Sequence, residues 1–112
     1  MNAVGIDVSK GKSMVAVMRP FGEMVLSPFE VSHSSSELSK LARLLKSLDG
    51  ESRVILESTG NYHAPVAKVL HDAGVYVSVV NAMLVHGYGN NSLRRAKTDK
   101  KDAVKLANYG LD

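Results

Sequence analysis

Ala3 to Ser9 (AVGIDVS) is apolar on both of its alternating faces, and a single carboxylate, Asp7, interrupts the run. Successive side chains of a strand point to opposite sides of its sheet, so a strand with one wet face alternates apolar and polar residues. A run that is apolar on both sides suits a strand in the middle of a sheet that is covered above and below. The chain has 112 residues, enough for one such layered core and not for two.

The rest of the sequence supplies the neighbours of that strand. Lys10-Gly11-Lys12 reads as a turn, Ser13 to Arg19 as a second strand, Pro20-Phe21-Gly22 as a turn and Glu23 to Val31 as a third strand. These three predict an antiparallel meander. Pro28 removes a backbone donor, which puts the third strand at the sheet edge or breaks it there. Ser34 and Glu37 have capping-box spacing, and Leu38, Leu41, Leu44, Leu45 and Leu48 recur at helical intervals up to a stop at Asp49-Gly50. Arg53 to Glu57 is a short buried strand, and the turn Ser58-Thr59-Gly60-Asn61 is expected to cap a second helix. In that helix Pro65 must fall in the first turn, Val66, Val69, Leu70 and Ala73 mark the buried stripe, and Gly74 is the stop. Val75 to Val80 is a fifth strand, joined to the fourth by a helical crossover, which implies parallel pairing. Ala82 to Asn91 reads as a loosely structured link, and Thr98 can cap a last helix through about Tyr109. The order predicts an α/β ribonuclease-H-like fold. Its five-stranded mixed sheet has a meander of strands 1 to 3, strands 4 and 5 parallel to strand 1, and flanking helices.

Composition excludes several classes. The sequence is 45% apolar and 22% charged, as in a folded globular domain and unlike a disordered segment. Its longest apolar stretches are too short to cross a bilayer, and Met1 leads into a strand-like run rather than a signal region, so a cytoplasmic location and no membrane partner are expected. Without cysteine there is no disulfide or thiolate site, and any metal must take oxygen or imidazole ligands. His33, His71 and His86 have no metal-ligand spacing. The net charge of +3 is concentrated: Arg94, Arg95, Lys97, Lys100 and Lys101 form a local anion-binding segment.

Within that segment lie two acids, Asp99 and Asp102, three residues apart and therefore neighbours on one face of the expected last helix. Taken singly, Asp7 reads more readily as a turn-capping carboxylate, and Asp99 and Asp102 as ordinary first-turn acids. Together with Glu57 they say more. Asp7 and Glu57 each close an otherwise apolar strand, and ligands of open α/β sheets gather outside the carboxyl ends of adjacent strands. Two carboxylates about 4 Å apart repel by on the order of 4 kcal/mol at an effective dielectric near 20, so such a pair needs a counter-charge or a shared proton. Phosphodiester cleavage uses carboxylates in this way. Two divalent ions about 4 Å apart stabilise the attacking and leaving oxygens, and acidic side chains hold them.

Three segments resemble a known family in order and spacing: Gly5-Ile6-Asp7-Val8-Ser9-Lys10, Glu57-Ser58-Thr59-Gly60-Asn61-Tyr62-His63 and Lys97-Thr98-Asp99-Lys100-Lys101-Asp102-Ala103. They are similar to the motifs of the DEDD transposases of bacterial insertion sequences, the insertion-sequence one-hundred-and-ten family, whose amino-terminal domain is RuvC-like. The resemblance implies a DNA recombinase domain with Asp7, Glu57, Asp99 and Asp102 as its acidic tetrad, using Mg²⁺ (or Mn²⁺), in two ions. It further implies a carboxyl-terminal domain with a nucleophilic serine, a structured guide RNA, DNA as substrate and a homo-oligomer. On that reading residues 1–112 are the catalytic domain of a longer protein.

Other residues are open to two readings. Thr59, Gly60 and Asn61 begin a helix whose free amides could receive a phosphate, or they form an ordinary strand-to-helix turn. Tyr62 could touch nucleic acid, whereas His63 reads as a surface residue without a catalytic role. Ser9 and Ser58 have no neighbouring base motif and are poor nucleophiles. The competing functions are a self-contained Holliday-junction resolvase-like nuclease, a non-catalytic nucleic-acid-binding or dimerisation module, and a lobe of an actin-like ATPase.

Overall fold

The computed structural model describes residues 1–58 and 62–81, together with residues 103, 104, 107 and 108. The strands are β1 (Asn2–Ser9), β2 (Lys12–Arg19), β3 (Glu23–Ser32), β4 (Ser52–Ser58) and β5 (Tyr76–Asn81), and the helices are α1 (Ser35–Ser47) and α2 (Ala64–Asp72). They form one sheet in the order β3-β2-β1-β4-β5. The pairs β1–β2 and β2–β3 are antiparallel, while β1–β4 and β4–β5 are parallel. The mixed sheet expected from the sequence is therefore present, with β1 at its centre.

Local chemistry accounts for each element. Gly11, at φ 79°, makes the two-residue turn between the paired Ser9 and Lys12, a conformation that a side chain would oppose. Pro28 lies in the edge strand β3, where the register shifts: Val15 pairs with Phe29 but Val17 with Leu26, so Ser27 and Pro28 together face Ala16. The Ser34 hydroxyl accepts a hydrogen bond from the Glu37 amide at 3.3 Å and starts α1 as the capping pattern predicts. At the other end of α2, Gly74 stops the helix at φ 86°, and the Lys46 ammonium of α1 donates to the Ala73 carbonyl at 3.0 Å.

One expectation is corrected. The turn Ser58-Thr59-Gly60-Asn61 does not provide the N-cap of α2: the cap residue is His63, and it makes no side-chain capping bond. Pro65 sets this start, because its ring is tolerated only in the first turn.

Strand alternation divides the sheet into two faces. Val4, Ile6 and Val8 of β1 lie with Val54 and Leu56 of β4 against Leu38, Leu41 and Leu45 of α1 and Val66 and Leu70 of α2. Each fully buried Val, Ile or Leu contributes about 1.5–3 kcal/mol, so this face is the main source of stability. The other face carries Ala3 and Met18, and the helical residues Val104 and Ala107 pack on them. The first strand is covered on both sides, as its composition requires.

A polar bolt holds the start of β1. Asn2 is fully buried; its side-chain amide donates to the Asp49 carbonyl at 2.8 Å and to Ser52 Oγ at 3.2 Å, while its Oδ1 accepts from Arg19 Nε at 3.0 Å. Losing any of these partners would leave a buried polar group unsatisfied, at about 1–3 kcal/mol.

Candidate active site

The register of β1 and β4 builds the site. Ile6 is the Cα partner of Leu56, and Asp7 and Glu57 are the next residue along each of two parallel strands. Side chains at the same level of neighbouring strands point to the same face, and the strands are about 4.8 Å apart. Asp7 and Glu57 therefore stand side by side. Their face is that of Ala3, four residues before Asp7, and so the one on which Ala107 packs.

The two carboxylates differ in setting. Glu57 is 4% exposed, one of three buried polar residues among those described, whereas Asp7 is half-buried. A carboxylate withdrawn from water to this degree is stable only beside hydrogen-bond donors or positive charge. Paired oxygen donors at the mouth of a sheet suit a hard divalent cation, and so the residues fit the metal that the sequence resemblance implies. Among the described residues no group of three or more His, Asp or Glu gathers to hold a metal.

Asp99 and Asp102, and with them Arg94, Arg95, Lys97, Lys100 and Lys101, lie outside the described residues, as do Thr59, Gly60, Asn61 and the link from Ala82 to Asn91. The nearest described positions are Ala103 and Val104, and Ala103 and Ala107 are both fully buried. Tyr62 is 47% exposed beside the end of β4 and available for contact. His63 differs from its surface expectation. It is half-buried, and its Nδ1 is shut off from solvent with no hydrogen-bond partner among the described residues. Ser9 Oγ donates to the Lys12 carbonyl at 3.1 Å and serves the turn, in keeping with its poor prospects as a nucleophile. Asn2 gave no sequence signal; a single asparagine at a strand start has no periodicity, and its partners are remote in the chain.

Comparison with known proteins decides the family. The DEDD, IS110-type family described as "Transposase" matches residues 4–112. The chain belongs to this DEDD transposase family. The transposase chain is 40% identical over 57 residues to the pilin gene-inverting proteins of Moraxella bovis and Moraxella lacunata, a match over 51% of the chain and 18% of each relative. It thus spans about a fifth of the length of these relatives.

Solved structures agree on the fold. RuvC of Thermus thermophilus superposes with a TM-score of 0.61 at 17% identity, over 96% of the transposase chain and 91% of RuvC. The same protein in complex with a Holliday junction substrate gives a TM-score of 0.60 at 16% identity, over 96% and 90% of the two chains. The sheet order and flanking helices of the transposase chain are RuvC-like. No described helix is long and apolar enough to cross a membrane.

Proposed function

We propose that this chain is the divalent-metal-dependent catalytic domain of a DNA recombinase, with Asp7, Glu57, Asp99 and Asp102 as its metal-holding residues. The observation that carries the reading is the side-by-side placement of Asp7 and Glu57 on the sheet face that also receives Ala107. The same reading takes Asp99 and Asp102, which precede Ala103 and Ala107 in the chain, as the remaining ligands.

In this reading Asp7 and Glu57 form the fixed wall of the site and hold Mg²⁺, or Mn²⁺ in its place. The bound ions supply charge stabilisation to the attacking and leaving oxygens of the phosphodiester. Arg94, Arg95, Lys97, Lys100 and Lys101 attract the DNA backbone to the same place. Tyr62 offers an exposed ring to nucleic acid, and Thr59, Gly60 and Asn61, which precede it in the chain, are taken as further contacts. The small share of the relatives that is matched supports a longer recombinase, with a serine-bearing carboxyl-terminal domain, guide RNA and homo-oligomeric assembly belonging to that protein. Its place of action is the bacterial cytoplasm.

A second reading has one observation in its favour: the fold match covers 91% of RuvC, so a resolvase-like nuclease complete in itself would be of this size. Cleavage of branched DNA by the 112-residue chain alone separates the two readings. The test of the first reading is Asp7→Ala and Glu57→Ala in the full-length recombinase. Both are expected to lower DNA cleavage by more than about 100-fold while the circular dichroism spectrum of the domain is kept. Cleavage at the parent rate by either variant would remove the assignment.

A further inference from the structure

We propose that the edge of β5 that no described strand pairs with joins the β5 edge of a second copy of this chain, so that two sheets join in antiparallel fashion. The inference stands on the sheet edge and holds whichever DNA reaction the carboxylates perform.

The two edges of the sheet are built differently. β3 carries devices that discourage strand addition: Pro28 without a backbone donor, a register shift opposite Ala16, and the charged residues Glu23 and Glu30. β5, at the opposite edge, reads Tyr-Val-Ser-Val-Val-Asn and has none of them. Its register with β4 is unbroken from Arg53–Tyr76 to Ser58–Asn81. Tyr76 is 59% and Val79 45% exposed, two of the five exposed large apolar side chains among those described. A regular, uncharged, β-branched edge of this kind presents a row of backbone donors and acceptors to another strand.

A second copy fits this edge because the strand is complementary to itself. About a two-fold axis normal to the sheet each side chain keeps its face, so opposed residues must share a face. Centring the axis on Ser78 opposes Tyr76 to Val80 and Val77 to Val79, and sets Ser78 against its own symmetry mate. Aromatic with β-branched and hydroxyl with hydroxyl are favourable cross-strand pairs, and no like charges meet because β5 has no charge. Among the described strands, pairing uses up the unguarded edges and leaves β3 outside, so assembly closes at two copies. Glu57 pairs with Val80, and the axis keeps the Asp7–Glu57 sites of both copies on the same side of the joined sheet. Six residues of main-chain pairing give a weak, concentration-dependent dimer.

The chain has no cysteine, so a single introduced thiol reports on its surroundings without ambiguity. The Ser78→Cys variant brings two thiols within disulfide reach across the axis. Met24→Cys, on the guarded edge at 42% exposure, is the control. Under mild oxidation of the 112-residue chain, Ser78→Cys is expected to form covalent dimer at least about tenfold faster than Met24→Cys, and adding Val79→Lys is expected to slow it about tenfold. Equal cross-linking at the two edges, or cross-linking of Ser78→Cys that Val79→Lys leaves untouched, overturns the proposal. An edge already occupied by another strand gives the first of these results. Should Val79→Lys unfold the chain, Tyr76→Lys takes its place with the same expectation.

Discussion

Ser13 Oγ lies 2.7 Å from Nε2 of His33, tying the buried start of β2 to the residue that follows β3. Burial holds the His33 imidazole below its ordinary pKa of 6.5. The folded chain is therefore harder to protonate at this site than the unfolded one. The stability it contributes is whole above 6.5, where both forms are neutral, and is lost as pH falls from 6.5 through the folded value. The thermal midpoint should fall across that window, and His33→Gln should flatten part of the fall. An unaltered pH profile in His33→Gln would count against this assignment.

A ligand that binds only the folded chain raises its stability, by about 2.7 kcal/mol at a hundredfold excess over its dissociation constant. Mn²⁺ should raise the thermal midpoint of this chain, and chelation should return it to the metal-free value. Asp7→Asn removes one carboxylate of the pair, so the Mn²⁺-dependent increment is expected to disappear. A full increment in Asp7→Asn would mean that the ion sits elsewhere.

Ala107 is fully buried against Ala3 and Met18. Ala107→Leu overfills that contact, at about 1–3 kcal/mol, and pushes the helical segment away from the sheet face that carries Asp7 and Glu57. Cleavage by the full-length recombinase should fall although both strand carboxylates are present. Retention of full cleavage would detach the segment from the site.

Gly74 adopts φ 86°, and a Cβ built there would meet Lys46 Nζ at 3.3 Å. The lysine can swing away, but the left-handed backbone cannot accept a side chain freely. Gly74→Ala is expected to cost about 1–2 kcal/mol in denaturant unfolding, and a neutral result would show that the turn relaxes.

Much of this architecture is legible in the sequence because its signals are local. Pro28 marks an edge, Ser34 and Glu37 mark a helix start, and Gly11 and Gly74 mark turns by conformational demands that no neighbour can cancel. The start of α2 lies later than the sequence suggests, because the turn Ser58 to Asn61 is rich in capping types, yet Pro65 has fewer places to go and wins. The candidate site is legible only in part. That Asp7 and Glu57 end apolar strands can be read from residue order, but their shared face depends on the register between β1 and β4, which a single sequence does not print. His63 and Asn2 escaped for the same reason, since solvent exclusion and remote partners are properties of the folded chain.

β1 and β4 are bound to each other across about fifty residues of intervening chain, with Gly5 opposite Ile55. The hairpins of β1, β2 and β3 need only local closure, whereas this parallel contact must wait for α1 and the return of the backbone, which is the slow kind of event in folding. A nascent polypeptide still short of Glu57 thus holds Asp7 without its companion.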